Sequence, residues 1–263
     1  MKPPGTSAYD TAASSFERHR ALPSSVVESI RSAIWTTARL PDRARVLDVG
    51  AGTGRIGKAF LAAGDFYIGV DSSHAMLQEF SVKPEFRESK TSLLAQAEGR
   101  RLPFQNASFD LVLLMQVLSA AGNWRELLEE CRRVLRPGGI IAAGHTRSPE
   151  SGIDAQLKRQ LVAILEEKQV PWHQPRESRR QAIEWLESAS VRHWYRDAAS
   201  WKVMTSAEEF LSRHRTGARF SALPLAVQEE ALAKLRTWAE TSFGSVNASF
   251  DEQHSFELGI FEF

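Results

Sequence analysis

Apolar positions in the first 146 residues fall into short, near-continuous runs separated by sets with helical spacing. The runs cover 46–49, 66–70, 109–114 and 140–143. Runs of this length that are rich in Val, Ile and Leu predict strands buried on both faces. The intervening apolar residues recur every three or four positions, as in 26–35, 76–80 and 127–135, which predicts amphipathic helices. Strands that alternate with helices favour an α/β fold around a parallel sheet.

The rest of the chain has a less regular pattern. Residues 81–97 predict a short strand near Phe86 and a helix around 93–97. Beyond residue 146, helical spacing in 157–165 and 227–238 predicts helices, whereas the alternation of 256–260 predicts a strand. No shift in composition marks a second domain, so we expect the chain to fold as one unit.

The composition narrows the class of protein. The 263 residues are 43% hydrophobic and 25% charged, which is typical of a soluble globular protein. The net charge of +1 is too small to create an overall positive potential that would attract a nucleic acid. Cys131 is the one cysteine, which excludes a disulfide framework. The N-terminus has no apolar signal segment, and the longest apolar run, 111–118, is too short to span a bilayer. We therefore expect a cytoplasmic protein with no membrane partner.

The first apolar run leads directly into three alternate glycines, Gly50, Gly52 and Gly54. Glycines between a strand and a helix allow backbone conformations closed to other residues and let a ligand approach the main chain. A G-x-G-x-x-G pattern read from Gly52 would suit a dinucleotide. Asp48 argues against it, because a carboxylate at the strand end would repel a pyrophosphate and suits a ligand with an ammonium and a sulfonium group. Asp71, which ends the next strand, suits a ribose diol under either interpretation.

Four segments together resemble one protein family. They are VLDVGAGTG at 46–54, GVDSSHAML at 69–77, AEGRRLPFQNASFDLVLLMQVL at 97–118 and ECRRVLRPGGII at 130–141. In these segments the chain is similar to class I S-adenosylmethionine-dependent methyltransferases, in the group typified by ubiquinone and small-molecule methyltransferases. The resemblance covers most of residues 40–146 and carries almost no information about the methyl acceptor.

The resemblance implies a Rossmann-like, doubly wound sheet of seven strands, mostly parallel, with an antiparallel C-terminal strand and a helical cap insertion. A single methyltransferase domain would then span 1–263. Its expected parts are an N-terminal lid (1–23), a cofactor-binding core (40–146), a helical substrate cap (147–190) and the C-terminal strands and helices of the sheet (191–263). The last strand would pair with a strand near 192–203.

S-adenosyl-L-methionine is the cofactor that the resemblance implies. Arg20 in the lid would meet the cofactor carboxylate, Met76 would touch the adenine ring, and Glu98 would replace the usual aspartate that accepts from the adenine amine. The full expected set of cofactor-binding residues is Arg20, Asp48, Gly50, Ala51, Gly52, Gly54, Asp71, Ser72, Met76, Glu98, Gly99 and Gln116. No metal ligand is expected.

The catalytic residue stays open at this level. A sulfonium already carries an electrophilic methyl group, so the protein has mainly to align the acceptor and exclude water. A base is required only for an acceptor that must lose a proton. His145, just past the strand 140–144, is the first candidate base, His19 the second and His173 the third. Each also fits an ordinary structural or surface histidine.

A small, apolar or aromatic molecule is the expected methyl acceptor, with Trp172, Trp194 and Tyr195 as candidate wall residues. One alternative is an RNA methyltransferase, in which the basic RESRR at 176–180 and nearby tryptophans would bind and stack bases. Acidic neighbours of RESRR favour a solvated helix face and argue against a nucleic-acid partner. The other alternative is a regulatory protein that binds the cofactor without catalysis. The oligomeric state is not determined by the sequence.

Overall fold

The structure is a computed structural model that describes Asp10 and residues 13–17, 20–170, 175–215 and 218–263. Its seven strands are β1 (Arg45–Val49), β2 (Phe66–Asp71), β3 (Ser92–Gln96), β4 (Phe109–Met115), β5 (Leu135–Arg147), β6 (Arg192–Thr205) and β7 (Phe250–Glu262). The helices of the first half are α1 (Ala13–Phe16), α2 (Ser24–Ala38), α3 (Gly57–Ala62), α4 (His74–Ser81), α5 (Pro84–Glu88) and α6 (Trp124–Val134). Those of the second half are α7 (Ile153–Glu167), α8 (Pro175–Ala189), α9 (Ala207–Arg215), α10 (Ala218–Ser221) and α11 (Leu225–Phe243).

The strands form one sheet in the order β3-β2-β1-β4-β5-β7-β6. Strands β1 to β5 are parallel, and β7 runs antiparallel to both of its neighbours, β5 and β6. This confirms the predicted doubly wound fold and the predicted antiparallel partner of 192–203. The chain order reverses between β1 and β4, and in open α/β sheets ligands bind outside the carboxyl ends of the strands at such a point.

Apolar side chains cover both faces of the sheet. On one face, α2 and α3 pack against residues such as Val46, Leu111 and Ile260. On the other face, α6 and α8 pack against neighbours in the same strands, including Leu47 and Val112. Successive strand residues point to opposite faces, so a strand buried on both sides requires a continuous apolar run. The runs in the sequence therefore located β1, β2, β4 and β5 correctly.

The predicted elements of residues 81–97 are wrong. Phe86 lies in α5, which begins at Pro84, and the residues expected to be helical form β3 beside β2. Proline fits the first turn of a helix because it has no N–H to contribute there. At the sheet edge β3 is only half buried, and Leu93 is 53% exposed, so its sequence lacks the continuous apolar run of the inner strands.

The segment 147–190, predicted as one helical cap, is divided between two parts of the fold. Its first helix, α7, packs with α9, α10 and α11 in a separate apolar cluster. Its second helix, α8, packs against α6 and β7, because Ala182 and Leu186 place an apolar stripe toward the sheet. Of the described helices, none combines the length and apolarity needed to cross a bilayer.

Candidate functional site

A cavity of about 770 Å³ opens at the carboxyl edge of β1, β2 and β4, where the chain order reverses. The turn between β1 and α3, the end of β2 and the residues that follow β3 and β4 form most of its wall. The N-terminal segment contributes Phe16, and the C-terminal half contributes His214 and Phe220. All of the residues predicted to bind the cofactor line this cavity, except Gly54.

The turn after β1 explains why Gly54 differs from the other glycines. The N–H groups of Gly50 and Ala51 donate to the carbonyl of Val70, at 2.8 and 3.0 Å, and so attach the turn to β2. Gly52 has a φ of +56°, and a Cβ built on it would meet no atom closer than 4.0 Å, because that side faces open space. A Cβ on Gly54 would lie 2.2 Å from Phe80. Gly52 thus leaves room in the cavity, whereas Gly54 leaves room for helix packing.

Asp48 places a buried carboxylate at the cavity wall. Oδ2 accepts a hydrogen bond of 2.6 Å from the hydroxyl of Tyr67. Across the described part of the chain, Oδ1 has no hydrogen-bond partner although it is fully buried. Burial raises the pKa of Asp48 to about 7, against the opposing effect of the Tyr67 hydrogen bond. A carboxylate oxygen without a donor is a fitting partner for the ammonium group of a ligand.

Asp48 should make the stability of the empty protein depend on pH. Its pKa is about 7 in the folded chain and 3.8 for an aspartate in water, so its contribution to stability is fully present below pH 3.8 and is lost as the pH rises through 7. We expect the free energy of unfolding contributed by Asp48 to fall by about 2–3 kcal/mol between pH 5 and pH 8. Urea unfolding at both pH values, compared between wild type and Asp48→Asn, measures this fall.

The exposed Asp42 provides the control for that measurement, because Asp42→Asn removes a carboxylate that is in water in both states. The Asp42→Asn variant should retain the pH dependence of the wild type. An Asp48→Asn variant with the same pH dependence as the wild type would show that the carboxyl is not desolvated.

Asp71 lies at the end of β2 and organises the neighbouring backbone. Oδ2 accepts from the N–H of Gly52 at 2.9 Å, and Oδ1 accepts from the N–H of Ser73 at 2.8 Å. Burial raises the pKa of this carboxyl, and the backbone N–H groups partly offset the rise. Each oxygen retains a further lone-pair site, so the carboxylate can accept from two more donors, as a ribose diol offers.

The residues after β3 form a more open end of the cavity. Glu98 has a side chain that is 66% exposed and lies 3.8 Å from the guanidinium of Arg100. Gly99 packs closely, since a Cβ on it would lie 2.7 Å from Leu127. Met76, on α4, is only 2% exposed and also lines the cavity. At this end of the cavity, Met76 can make apolar contact with a flat ring, and the carboxylate of Glu98 can accept a hydrogen bond.

Gln116 follows β4 in a strained conformation, with a φ of +63°. Its N–H donates to the carbonyl of Gly144 at 2.7 Å, and its side-chain amide donates to the hydroxyl of Thr146 at 2.9 Å. A non-glycine residue with positive φ persists only when the surrounding structure fixes it, and such residues cluster at functional sites. The bonds to β5 therefore hold Gln116 at the cavity wall.

His145, the first candidate base, does not line the large cavity. His145 lines a neighbouring cavity of about 80 Å³ that shares Gln116 and Ser119 with the large one. Burial, and then the charges of Arg179 and Arg147, lower the pKa of His145 to about 4, so it is neutral at pH 7. Its Nε2 lies 3.3 Å from a carboxylate oxygen of Glu257. His19 and His173 lie outside the described residues.

His214, which was not among the predicted site residues, lines the large cavity. It lies one helical turn after Phe210 in α9. That spacing of two rings on one helix face was a signal in the sequence, but nothing in the sequence connected α9 with the glycine turn.

Two of the predicted wall residues, Trp194 and Tyr195, do not line the large cavity. Trp194 packs against the apolar layer under α2, and Tyr195 lines the small cavity with its hydroxyl bonded to Glu187. Trp172 lies outside the described residues. The predictions for Trp194 and Tyr195 are wrong as far as the large cavity is concerned, because β6 lies at the far edge of the sheet. In the part of the chain that the structure describes, Phe16 and Phe220 contribute phenyl rings to the lining of the large cavity.

Two guanidinium groups lie at the same end of the cavity as Phe16. Arg20 lies 4.7 Å from the centre of the Phe16 ring and donates to the carbonyl of Arg213 at 3.3 Å. Arg55 donates to the carbonyl of Arg20 at 2.6 Å. Desolvation, and then the charge of Arg20, lower the pKa of Arg55 to about 10. These groups can bind the carboxylate of a ligand. In the ranges that the structure covers, no cluster of three metal-ligating side chains occurs.

Comparison with known proteins gives the family of this domain. A family model described as a methyltransferase domain matches residues 47–143. The malonyl-[acyl-carrier protein] O-methyltransferase of Enterobacter lignolyticus is 33% identical over 137 residues, which cover 51% of this chain and 50% of that protein. The demethylmenaquinone methyltransferase of Parafrankia sp. is 34% identical over 128 residues, which cover 41% and 50%. The chain thus spans about half the length of the curated relatives that it matches.

Solved structures extend the likeness to the fold of nearly the whole chain. The YcgJ protein of Bacillus subtilis has a TM-score of 0.56 at 21% identity and covers 89% of this chain and 97% of its own. Phosphoethanolamine N-methyltransferase 2 of Haemonchus contortus, solved with S-adenosylhomocysteine, has a TM-score of 0.54 at 13% identity and covers 96% and 57%. Residues 47–143 therefore match a methyltransferase domain, and nearly the whole chain has the fold of these solved structures, one of which is an N-methyltransferase bound to S-adenosylhomocysteine.

Proposed function

We propose that this protein transfers a methyl group from S-adenosyl-L-methionine to a small molecule. The observation that carries the proposal is the large cavity, whose lining includes both Asp48 at the end of β1, with its unpartnered Oδ1, and Gly52 in the following turn, with its open side. An orphaned carboxylate oxygen and a space that a Cβ would fill are the features required by a ligand with an ammonium group close to the main chain.

The strand order supports an arrangement of the cofactor along the sheet edge. Asp71 on β2 would hold the ribose diol, Glu98 and Gly99 after β3 would hold the adenine, and Asp48 on β1 would hold the ammonium. Since β4 lies on the other side of β1, the methionine end of the cofactor would extend toward Gln116. Ala51, Ser72 and Met76 would complete the wall, and Gly50 and Gly54 the turn and its packing.

The N-terminal segment would act as the lid of this site, with the domain parts 1–23, 40–146, 147–190 and 191–263 as a working division. Glu17 accepts from the hydroxyl of Thr53, and Asp10 accepts from the hydroxyl of Ser73, so the segment is attached to the turns after β1 and β2. Arg20 would meet the cofactor carboxylate from this side, together with Arg55.

The residues of the protein mainly position and enclose the reactants. When bound, S-adenosylmethionine would supply an electrophilic methyl group; the acceptor atom would bond to the methyl carbon as the carbon–sulfur bond breaks, and S-adenosylhomocysteine would leave. Gln116, held by its two hydrogen bonds to β5, and the aromatic pair Phe16 and Phe220 would define where the acceptor lies. Positioning of this kind can supply roughly 7–11 kcal/mol of a reaction barrier. A cavity of about 770 Å³ is of the size that binds small ligands.

Three observations favour a small molecule over RNA as the acceptor. Arg180, in the basic stretch 176–180, is not available to bind a phosphate, because its guanidinium pairs with Glu177 and Glu184 of the same helix. That helix, α8, packs on α6 and not at the large cavity. The relatives whose names specify malonyl-[acyl-carrier protein] and demethylmenaquinone also have acceptors that are not nucleic acids.

Calorimetry tests the proposal. Wild-type protein should bind S-adenosylhomocysteine and give no binding heat with NAD or NADP. Because Asp48 must ionise to pair with the ammonium group, binding at pH 6 should release a proton, which is measured by repeating the titration in buffers of different ionisation enthalpy. Asp48→Asn should abolish the proton release, whereas the exposed Asp42→Asn should leave it intact.

Transfer itself is measured with methyl-labelled S-adenosylmethionine and two acceptor pools, a small-metabolite extract and total RNA. Label should appear in the metabolite pool. Tight binding of NAD would exclude the cofactor assignment, label in RNA would exclude the small acceptor, and binding without transfer to either pool would favour a regulatory protein.

A further inference from the structure

The large cavity contains an imidazole that the proposed cofactor contacts do not use. His214 lies in the last turn of α9 and lines the cavity with the ring of Phe220. Its ring stacks on that of Phe210, with the two centroids 3.9 Å apart and an interplanar angle of 23°. Its Nδ1 lies 2.9 Å from the carbonyl oxygen of Phe210. Stacking and hydrogen bond together fix the orientation of the imidazole.

The hydrogen bond determines which nitrogen of His214 carries the proton. A carbonyl oxygen can only accept, so Nδ1 donates. A neutral imidazole has a single N–H, and Nε2 is then a lone-pair acceptor. Among the described residues, Nε2 has no hydrogen-bond partner. The ring thus has an acceptor nitrogen without a donor, on a residue that lines the cavity.

The charges around His214 keep the imidazole neutral. Desolvation, and then the charge of Arg213, lower the pKa of His214 to about 3; Lys158 acts in the same direction. Asp154 would favour the protonated ring, but Arg213 donates to both of its carboxylate oxygens, at 2.7 and 2.6 Å. A group this weakly basic is a poor general base at neutral pH, and its chemistry is that of a hydrogen-bond acceptor.

The helix that carries His214 is fixed from both sides. The Asp154–Arg213 ion pair attaches α9 to α7, and Asp154 is 3% exposed. From the N-terminal segment, Arg20 donates to the carbonyl of Arg213. His214 is therefore positioned relative to both Phe16 and the glycine turn, although these residues are far apart in the sequence.

We propose that Nε2 of His214 accepts a hydrogen bond from an N–H or O–H group of the methyl acceptor and so orients it. The proposal rests on the proposed function and deepens it. It assigns the acceptor to the class of neutral molecules with a hydrogen-bond donor on an apolar or aromatic body, which Phe16 and Phe220 would contact. His214 is a specificity-determining residue in this scheme, and the proton of the acceptor is not transferred to it.

Phenol and anisole, which differ by the donor hydrogen, are matched probes for this site. Both would be titrated into the wild-type complex with S-adenosylhomocysteine and followed by NMR of protein labelled with ¹⁵N in histidine. We expect the free complex to have a protonated Nδ1 and an unprotonated Nε2 on His214. Phenol should bind roughly two- to tenfold more tightly than anisole and shift the Nε2 resonance, because the difference is one hydrogen bond.

Three variants make the test specific. His214→Phe should abolish the preference for phenol, and His214→Gln, which retains an acceptor oxygen, should restore part of it. His193→Phe, an exposed histidine on β6, is the control and should preserve the wild-type preference. The affinity of each variant for S-adenosylhomocysteine reports whether the cofactor end is intact.

The outcomes separate the two proposals. If the wild type does not bind S-adenosylhomocysteine, the proposed function fails and this inference fails with it. If it binds S-adenosylhomocysteine but treats phenol and anisole alike, binds neither, or has the proton on Nε2, the role of His214 is overturned and the cofactor proposal stands. A phenol preference that persists in His214→Phe would likewise overturn it.

Discussion

Gly52→Val is expected to eliminate measurable binding of S-adenosylhomocysteine. The added side chain would project into the open side of the turn, where a Cβ has no atom closer than 4.0 Å. In the proposed complex the cofactor would occupy this space, against the main chain of the turn. Displacing a ligand from its contacts with the turn should weaken binding by about a hundredfold or more, or about 2.8 kcal/mol. Isothermal titration calorimetry measures the loss.

The variant also strains the backbone, because valine at the φ of +56° of Gly52 is unfavourable by roughly 1–2 kcal/mol. Gly64→Val separates strain from occlusion. Gly64 has a φ of +78° and open space around its Cβ position, and it lies in the turn before β2, away from the cavity. Both variants should lose similar stability in urea, whereas Gly64→Val should bind as the wild type does. Equal affinity in both variants would show that the turn after β1 is not the site.

Asp71→Ala is the second large effect. The carboxylate would accept from two ribose hydroxyls, and hydrogen bonds to a charged group contribute roughly 1.5–3 kcal/mol each. We expect the affinity for S-adenosylhomocysteine to fall by about a hundredfold or more. The variant also removes the acceptor for the N–H groups of Gly52 and Ser73, so part of the loss would come from the turn itself.

Two further measurements separate the loss of the ribose hydrogen bonds from the loss of the backbone contacts in the turn. One uses the Asp71→Asn variant, and the other uses S-adenosylhomocysteine modified at the 2′ and 3′ positions. The asparagine variant retains a side-chain acceptor for one backbone N–H and lacks the charge. An analogue of S-adenosylhomocysteine without ribose hydroxyls should bind the wild type weakly and lose little further affinity in Asp71→Ala. If the analogue and the natural compound lost affinity equally on this substitution, Asp71 would act only through the turn. Asp42→Ala, at an exposed position, is the control carboxylate.

The sequence alone determined the parts of this protein that depend on local pattern. Continuous apolar runs predicted β1, β2, β4 and β5, because a strand covered on both faces has to be apolar at every position. The sequence also identified the glycine turn as a ligand-binding turn, with Asp48 just before it and Asp71 at the end of the next strand. Parallel strands bring their carboxyl ends to one edge, so residues at those ends meet whatever the rest of the chain does.

Only the tertiary structure decided which distant segments close the cavity. β3 was not identified because an edge strand needs no continuous apolar run, and α8 was assigned to the cap although its apolar stripe covers the sheet. His145 follows a strand end, yet it lies in the neighbouring cavity.

His214 and Phe220 reach the large cavity through packing between α7, α9 and α10, which depends on long-range apolar contacts and on the Asp154–Arg213 pair. Such contacts join residues with no fixed spacing along the chain, whereas a turn or a strand is specified by its own neighbours. The proposed acceptor side of the site is therefore a property of the folded chain, and the residues of the proposed cofactor side can be read from the sequence.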